Sequence, residues 1–163
     1  MTGPIRIWTG ATHHPAFRCG GWASVRVSGG VVSGVAGGER NTTARRMALA
    51  GLAAGLSDLG ADKTPTIRVH TTSPELAALG DVLAGLETSG GGPDEDLDLW
   101  ARIITAAKGR RLELVSVPFA PDTPAAFVAA WADLARDKAK ASGPFTAPIP
   151  RMNLAKVAGL GTG

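Results

Sequence analysis

Trp22-Ala23-Ser24-Val25-Arg26-Val27, then Gly29-Gly30, then Val31-Val32-Ser33-Gly34-Val35, and a few residues later Thr42-Thr43-Ala44-Arg45-Arg46-Met47-Ala48-Leu49 form the stretch on which the fold turns. The two segments flanking the glycine pair are rich in valine and alternate in polarity, as strands do, and the glycines make a tight turn between them. Beyond them the period changes. Leu49, Leu52, Leu56 and Leu59 recur at intervals of three and four, which puts them on one face of a helix. Asn41 or Thr42 is its expected cap, and it should stop near Gly60.

Upstream, Ile5-Arg6-Ile7-Trp8 adds a strand and completes a three-stranded meander. Downstream, Thr66-Ile67-Arg68-Val69-His70-Thr71 is β-branched and alternating, and Ser73-Pro74-Glu75-Leu76 opens a short helix to about Leu86 with proline in its first turn. Thr88 to Asp98, with three glycines, a proline and four acidic residues, reads as an exposed loop. A helix from Leu97 to Lys108, a fifth strand from Leu112 to Val117 and a helix from Pro124 to Ser142 follow, the last with Phe127, Trp131 and Leu134 on one side. This order predicts an α/β fold: a five-stranded mixed sheet, an antiparallel meander and then parallel strands, flanked by helices. Residues 1–142 make one domain. Residues 143–163 form a tail whose apolar side chains, Phe145 to Leu160, suggest that it docks on its own domain or is exchanged with another copy, along an extended path ending in a helical turn near Met152 to Leu160.

Composition narrows the class. The 163 residues, 44% of them hydrophobic, suffice for one core. Lys and Arg outnumber Asp and Glu by 17 to 14, for a net charge of +3, so anionic partners are acceptable without being demanded. The lone Cys19 rules out an intrachain disulfide and any multi-cysteine metal site. With no apolar run long enough to span a bilayer and no leader ahead of Ile5, a cytoplasmic protein with no membrane partner is expected.

Several short motifs stand in a telling order: Trp8-Thr9-Gly10-Ala11-Thr12, Gly20-Gly21-Trp22, Thr42-Thr43-Ala44-Arg45-Arg46-Met47-Ala48-Leu49, Thr71-Thr72-Ser73, Asp98-Leu99-Trp100 and Ala132-Asp133-Leu134-Ala135-Arg136. Along Ile5 to Ser142 they resemble ribonuclease H of type 1, a family with the ribonuclease H-like fold. Its members use four carboxylates that hold two divalent metal ions for cleavage of the RNA strand of an RNA–DNA hybrid. Carried across motif by motif, those positions are Gly10, Ala48, Thr72 and Ala132, none of which is an anionic ligand. The basic, tryptophan-bearing protrusion of many members stands here as Gly90-Gly91-Gly92-Pro93-Asp94-Glu95-Asp96, and the loop Pro118 to Thr123 lacks the family's histidine.

The resemblance therefore implies a degenerate member, not an enzyme, with no catalytic residues, no metal and no cofactor. Asp133 and Glu75 are neighbouring carboxylates that could supply a relocated metal site, but Asp133 points about 100° away around its helix. His13, His14 and Cys19 lack the second cluster that a tetrahedral site needs, and His70 reads as a structural histidine. Thr43, Arg45 and Arg46 are the nucleic-acid-binding candidates, because in the resembling family this helix start contacts the backbone and a helix N-terminus with arginine suits phosphate. Lys108, Arg110 and Arg111 read as cations at a helix C-terminus. Two functions stay open: a non-catalytic binder of RNA–DNA hybrid or duplex, and a protein-interaction or assembly module. An active ribonuclease H with relocated metal ions comes third.

Overall fold

The computed structural model describes residues 4–72, 76, 96–155 and 157. Strands β1 (Ile5–His14), β2 (Cys19–Ser28) and β3 (Val31–Glu39) form the antiparallel meander. Gly29 and Gly30 turn β2 into β3 at φ 58° and 80°, a left-handed pair that suits glycine. Helix α1 (Ala44–Gly55) leads to β4 (Ile67–Thr71), which runs parallel to β1. Helix α2 (Leu97–Ala107), strand β5 (Leu112–Ser116) parallel to β4, and helix α3 (Pro124–Ser142) follow.

The mixed α/β sheet is as expected, but it has six strands in the order β5-β4-β1-β2-β3-β6. The added strand is β6 (Phe145–Pro148), which pairs antiparallel with β3, and a single turn, α4 (Arg151–Leu154), comes after it. The predicted turn near Met152 to Leu160 begins one residue earlier, and residues 158–163 lie outside the described ones. Proline at 144, 148 and 150 keeps this segment extended. Ile149 and Leu154 are buried, and Gly34 makes room for them: their methyls stand 3.1 Å from where a Cβ would be.

Because side chains alternate across a sheet, successive residues of β1 enter different cores. Ile5 and Ile7 join Met47, Leu49, Leu52 and Leu56 of the α1 segment and Leu99, Trp100 and Ile103 of α2. Trp8 goes the other way, toward Val25, Val27 and Val128 under α3. It is only 9% exposed, stacked on His70 with ring centroids 4.9 Å apart, because β1 continues six residues beyond it and α3 crosses there.

The sheet-facing stripe of α3 is also not the predicted one. Leu134 is exposed and Phe127 and Trp131 are only half buried, whereas Ala125, Val128, Ala132, Ala135 and Ala139 face inward. The reason is glycine on the strands beneath. A Cβ on Gly10 would stand 2.9 Å from the Val128 carbonyl carbon, one on Gly38 2.7 Å from Ala135 O, and one on Gly21 would run into Ala132 O and Arg136 N. Small residues on both sides bring the helix backbone against the strands, and larger side chains fit only at the helix margins. Among the described residues no helix is long and apolar enough to cross a membrane.

Gly21→Ala should therefore lower stability by about 1–3 kcal/mol, since its contacts are backbone atoms that cannot swing aside. Gly51→Ala, within α1, meets nothing closer than 3.7 Å and should be neutral or stabilising by up to about 1 kcal/mol from helix propensity. Denaturant unfolding of both variants checks the contrast, and equal losses would refute the close-approach account. Truncation after Ser142 exposes the groove over Gly34 and should lower the melting temperature.

Candidate nucleic-acid interface

Helix α1 is capped by Thr43, just beyond the expected Asn41 or Thr42. Thr43 has extended backbone angles, and its hydroxyl accepts the Arg46 backbone N–H at 3.0 Å, a capping bond worth about 1 kcal/mol. No acidic residue occupies the first turn. The β1–β2 hairpin packs against this end: the Thr42 N–H donates to Arg18 O at 2.9 Å, and His13 Nε2 lies 2.9 Å from Thr42 O. The hairpin carries His14, the exposed Phe17, and Arg18 at φ 52°.

Beside Thr9 Oγ1, Ser24 Oγ and Trp100 Nε1 elsewhere in the fold, unpartnered polar atoms occur on this hairpin and helix start. Thr42 Oγ1, Arg45 Nε and His14 Nδ1 are buried and make no hydrogen bond among the described residues, and Thr42 as a whole is 6% exposed. Thr42 directly precedes the Thr43 cap, and Arg45 lies in the first turn after it. A buried donor or acceptor without a partner is costly, and it calls for something that completes it.

Of the three sequence candidates, Thr43 and Arg45 belong to this end, and the structure assigns Arg46 a different task. Its guanidinium reaches Glu39 Oε1 at 2.8 Å, Asp96 Oδ1 at 3.2 Å and both oxygens of Asp98 at 3.0 and 2.8 Å. These carboxylates, Asp98 foremost, hold the Arg46 pKa above its ordinary value. In return the Arg46 hydrogen bonds hold the Asp98 carboxyl down to about 2. The cation ties β3, α1 and the start of α2 together. With three anions around one guanidinium, the place repels phosphate.

The positions where the resemblance puts carboxylates are Gly10, Ala48, Thr72 and Ala132. Ala48 and Ala132 are buried at 2% and 0%, Gly10 lies under α3, and Thr72 directly follows β4 with only a neutral hydroxyl. Two hard divalent ions do not fit this donor set. Among the described residues no cluster of three or more His, Cys, Asp or Glu side chains could hold an ion. Asp133 is mostly exposed and lies 3.6 Å from Arg136, while Glu75 and residues 90–95 of the protrusion lie outside the described residues.

No family model matches the chain. Over 122 residues it is 34% identical to the ribonuclease H of Acidiphilium cryptum (strain JF-5), covering 71% of this chain and 74% of that protein. Over 116 residues it is 33% identical to the ribonuclease H of Gluconobacter oxydans (strain 621H), covering 67% and 75%. The chain belongs to the ribonuclease H family. Its fold agrees: the N-terminal RNase H domain of a Mycobacterium tuberculosis protein, solved as a fusion with maltose binding protein, superposes with a TM-score of 0.59 at 22% identity over 87% of this chain and 99% of that one.

Membership corrects one expectation. The sequence implied a non-enzyme, yet both relatives of this ribonuclease H-family chain carry the name of an enzyme over most of its length. The residue types at four positions pointed to inactivity. Hard cations also accept oxygen from other carboxylates, carbonyls and water, so four positions by themselves do not decide activity.

Two residues take a part that the sequence did not suggest for them: Thr42, expected as a helix cap, and His14, weighed only as a metal ligand. Their signal is the unmet hydrogen-bonding capacity at a helix start, which exists only once the hairpin has folded over it. Arg46→Ala should cost about 1–2 kcal/mol, discounted for solvent exposure, because three carboxylates lose their common partner. The sign with pH follows from Asp98. A carboxyl lowered from 3.8 to about 2 in the folded protein adds stability above its unfolded pKa, and that stability is lost as pH falls through about 2. Acid titration of unfolding should show this component in the parent and lose it in Asp98→Asn.

Proposed function

We propose that this ribonuclease H-family protein binds RNA–DNA hybrid, and related duplexes, through backbone phosphates at the start of α1 and the β1–β2 hairpin. The observation that carries the reading is the set of buried, unpartnered groups at that end, Thr42 Oγ1, Arg45 Nε and His14 Nδ1, beside the exposed Arg18. A helix N-terminus brings partial positive charge and free N–H groups to the same place, and phosphate oxygens accept from all of these donors. The name of the relatives supplies the nucleic acid: ribonuclease H. Arg45, Thr43 and Thr42 carry the contact, and Arg46 keeps α1 in place.

For the assembly-module alternative no comparable set of groups speaks, and the tail's Ile149 and Leu154 are buried against their own domain. Hydrolysis of the RNA strand is the activity the relatives' name carries, and any metal ions it uses would need ligands other than Gly10, Ala48, Thr72 and Ala132.

Labelled hybrid, duplex DNA and single strands, titrated at low and moderate salt, test the reading. Binding should weaken with salt and show little sequence preference, as phosphate contacts dictate. Arg45→Ala should weaken it about three- to tenfold and flatten the salt slope by about one. Unchanged affinity in Arg45→Ala and Thr42→Val would overturn the site. The same mixtures with magnesium measure RNA cleavage, and turnover there would attach the relatives' activity to this chain.

A further inference from the structure

A cleft of about 550 Å³ opens at the far end of α1, between its last turn, the following loop and the outer face of α2. At 1.5 Å per residue, the 12 residues of α1 separate it from the interface above by about 18 Å. Its volume lies within the ordinary range of small-molecule sites. Ala53, Leu56, Leu59, Ala101 and Ala106 give it an apolar wall, and Ser57 and Thr105 bring hydroxyls.

Its charge is one-sided. Lys63, Arg102 and Arg110 line it against Asp58 alone. Arg110 is 9% exposed, and its guanidinium donates to Gly60 O and Asp62 O, so it fixes the loop. Asp58 is drawn to Arg26, which donates to the carbonyls of Gly55 and Ser57 behind it. Neighbouring Asp62 is occupied by the Thr64 N–H and hydroxyl at 3.0 and 2.7 Å. Lys63 and Arg102 remain, both exposed. No carboxylate lies within ion-pair distance of either among the described residues, and Arg102 has only Ser57 Oγ at 3.5 Å. The backbone is held in place around them: Gly109, at φ 75°, lets the Lys63 chain lie across it, with Nζ 3.5 Å from the position of a Cβ.

We propose that this cleft binds a phosphomonoester with an apolar or planar body, of the size of a nucleoside monophosphate. Two uncompensated cations match a dianion, and a phosphomonoester carries about −1.5 to −2 at pH 7 where a carboxylate carries one charge. Arginine takes the phosphate oxygens in paired hydrogen bonds, Lys63 adds a point charge, and the alanine and leucine wall accepts the body. The same chemistry is offered by a free nucleotide and by the 5′-phosphate end of a strand.

Calorimetric titration of the full chain with adenosine monophosphate, adenosine, inorganic phosphate and a 5′-phosphorylated oligonucleotide tests this. Adenosine monophosphate should bind at least about tenfold tighter than adenosine or phosphate alone. Arg102→Ala and Lys63→Ala, both at exposed positions, should each weaken it about fivefold or more, and Arg45→Ala should leave it unchanged. Tighter binding of the phosphorylated oligonucleotide than of the nucleotide, lost in Arg102→Ala and kept in Arg45→Ala, assigns the site to strand ends. The reverse order assigns it to free nucleotides. No binding of either at millimolar concentration, or binding indifferent to Arg102 and Lys63, overturns the proposal. Hybrid binding that fails in Arg45→Ala while nucleotide binding persists keeps the two sites apart.

Discussion

Helix α3 lies against strands β1, β2 and β3 at a distance that only glycine allows beneath it, at Gly10, Gly21 and Gly38, with alanine and valine facing them from the helix. The geometry of the second core follows from that approach. Trp8 is pressed toward His70, Phe127 and Trp131 are displaced to the helix margins, and Leu134 turns to solvent. Arg136 is brought over β1, where it donates to Thr12 Oγ1 at 3.2 Å. At the C-terminal end of the helix, Arg40 donates to the carbonyls of Ala139 and Lys140, satisfying acceptors that a helix end leaves open. The polypeptide then turns at Gly143 and returns as β6 beside β3.

The other face is organised around cations that tie loops to helices. Arg46 joins β3, α1 and α2 at one end of α1, while Arg26 and Arg110 gather the carbonyls of the loop at the other. Between them the apolar face of α1 needs only a hydrophobic partner, which β1 and α2 provide. This division explains why the two ends of α1 differ. At its start, the hairpin covers hydrogen-bonding groups that find no partner among the described residues, and at its end Lys63 and Arg102 have no carboxylate among those residues within ion-pair distance.

The order of elements was legible in the sequence because each announces itself locally. Val25 and Val27 alternate with polar neighbours, the leucines of α1 repeat at helical spacing, and Thr123-Pro124 marks the start of α3 with the hydroxyl cap that the structure shows. The short motifs from Thr9 to Arg136 likewise led to the family that the relatives confirm. β6 was not legible as a strand: four residues bounded by prolines carry too little alternation, and the edge of β3 completes what they lack. The buried face of α3 was misread because apolar size points to Phe127, Trp131 and Leu134, whereas the glycines that select alanine lie more than a hundred residues away in the sequence.

For the candidate site, the sequence by itself determined that a threonine- and arginine-bearing helix start exists and that Gly10, Ala48, Thr72 and Ala132 carry no carboxylate. Only the tertiary structure decided which arginine is engaged. Arg45 and Arg46 are adjacent in the sequence and equal in chemistry, but a helix turns about 100° per residue. That rotation directs Arg46 to Glu39, Asp96 and Asp98 and leaves Arg45 Nε without a hydrogen-bond partner among the described residues. Electrostatic partnership is a matter of distance in space, and no local pattern in the chain specifies it.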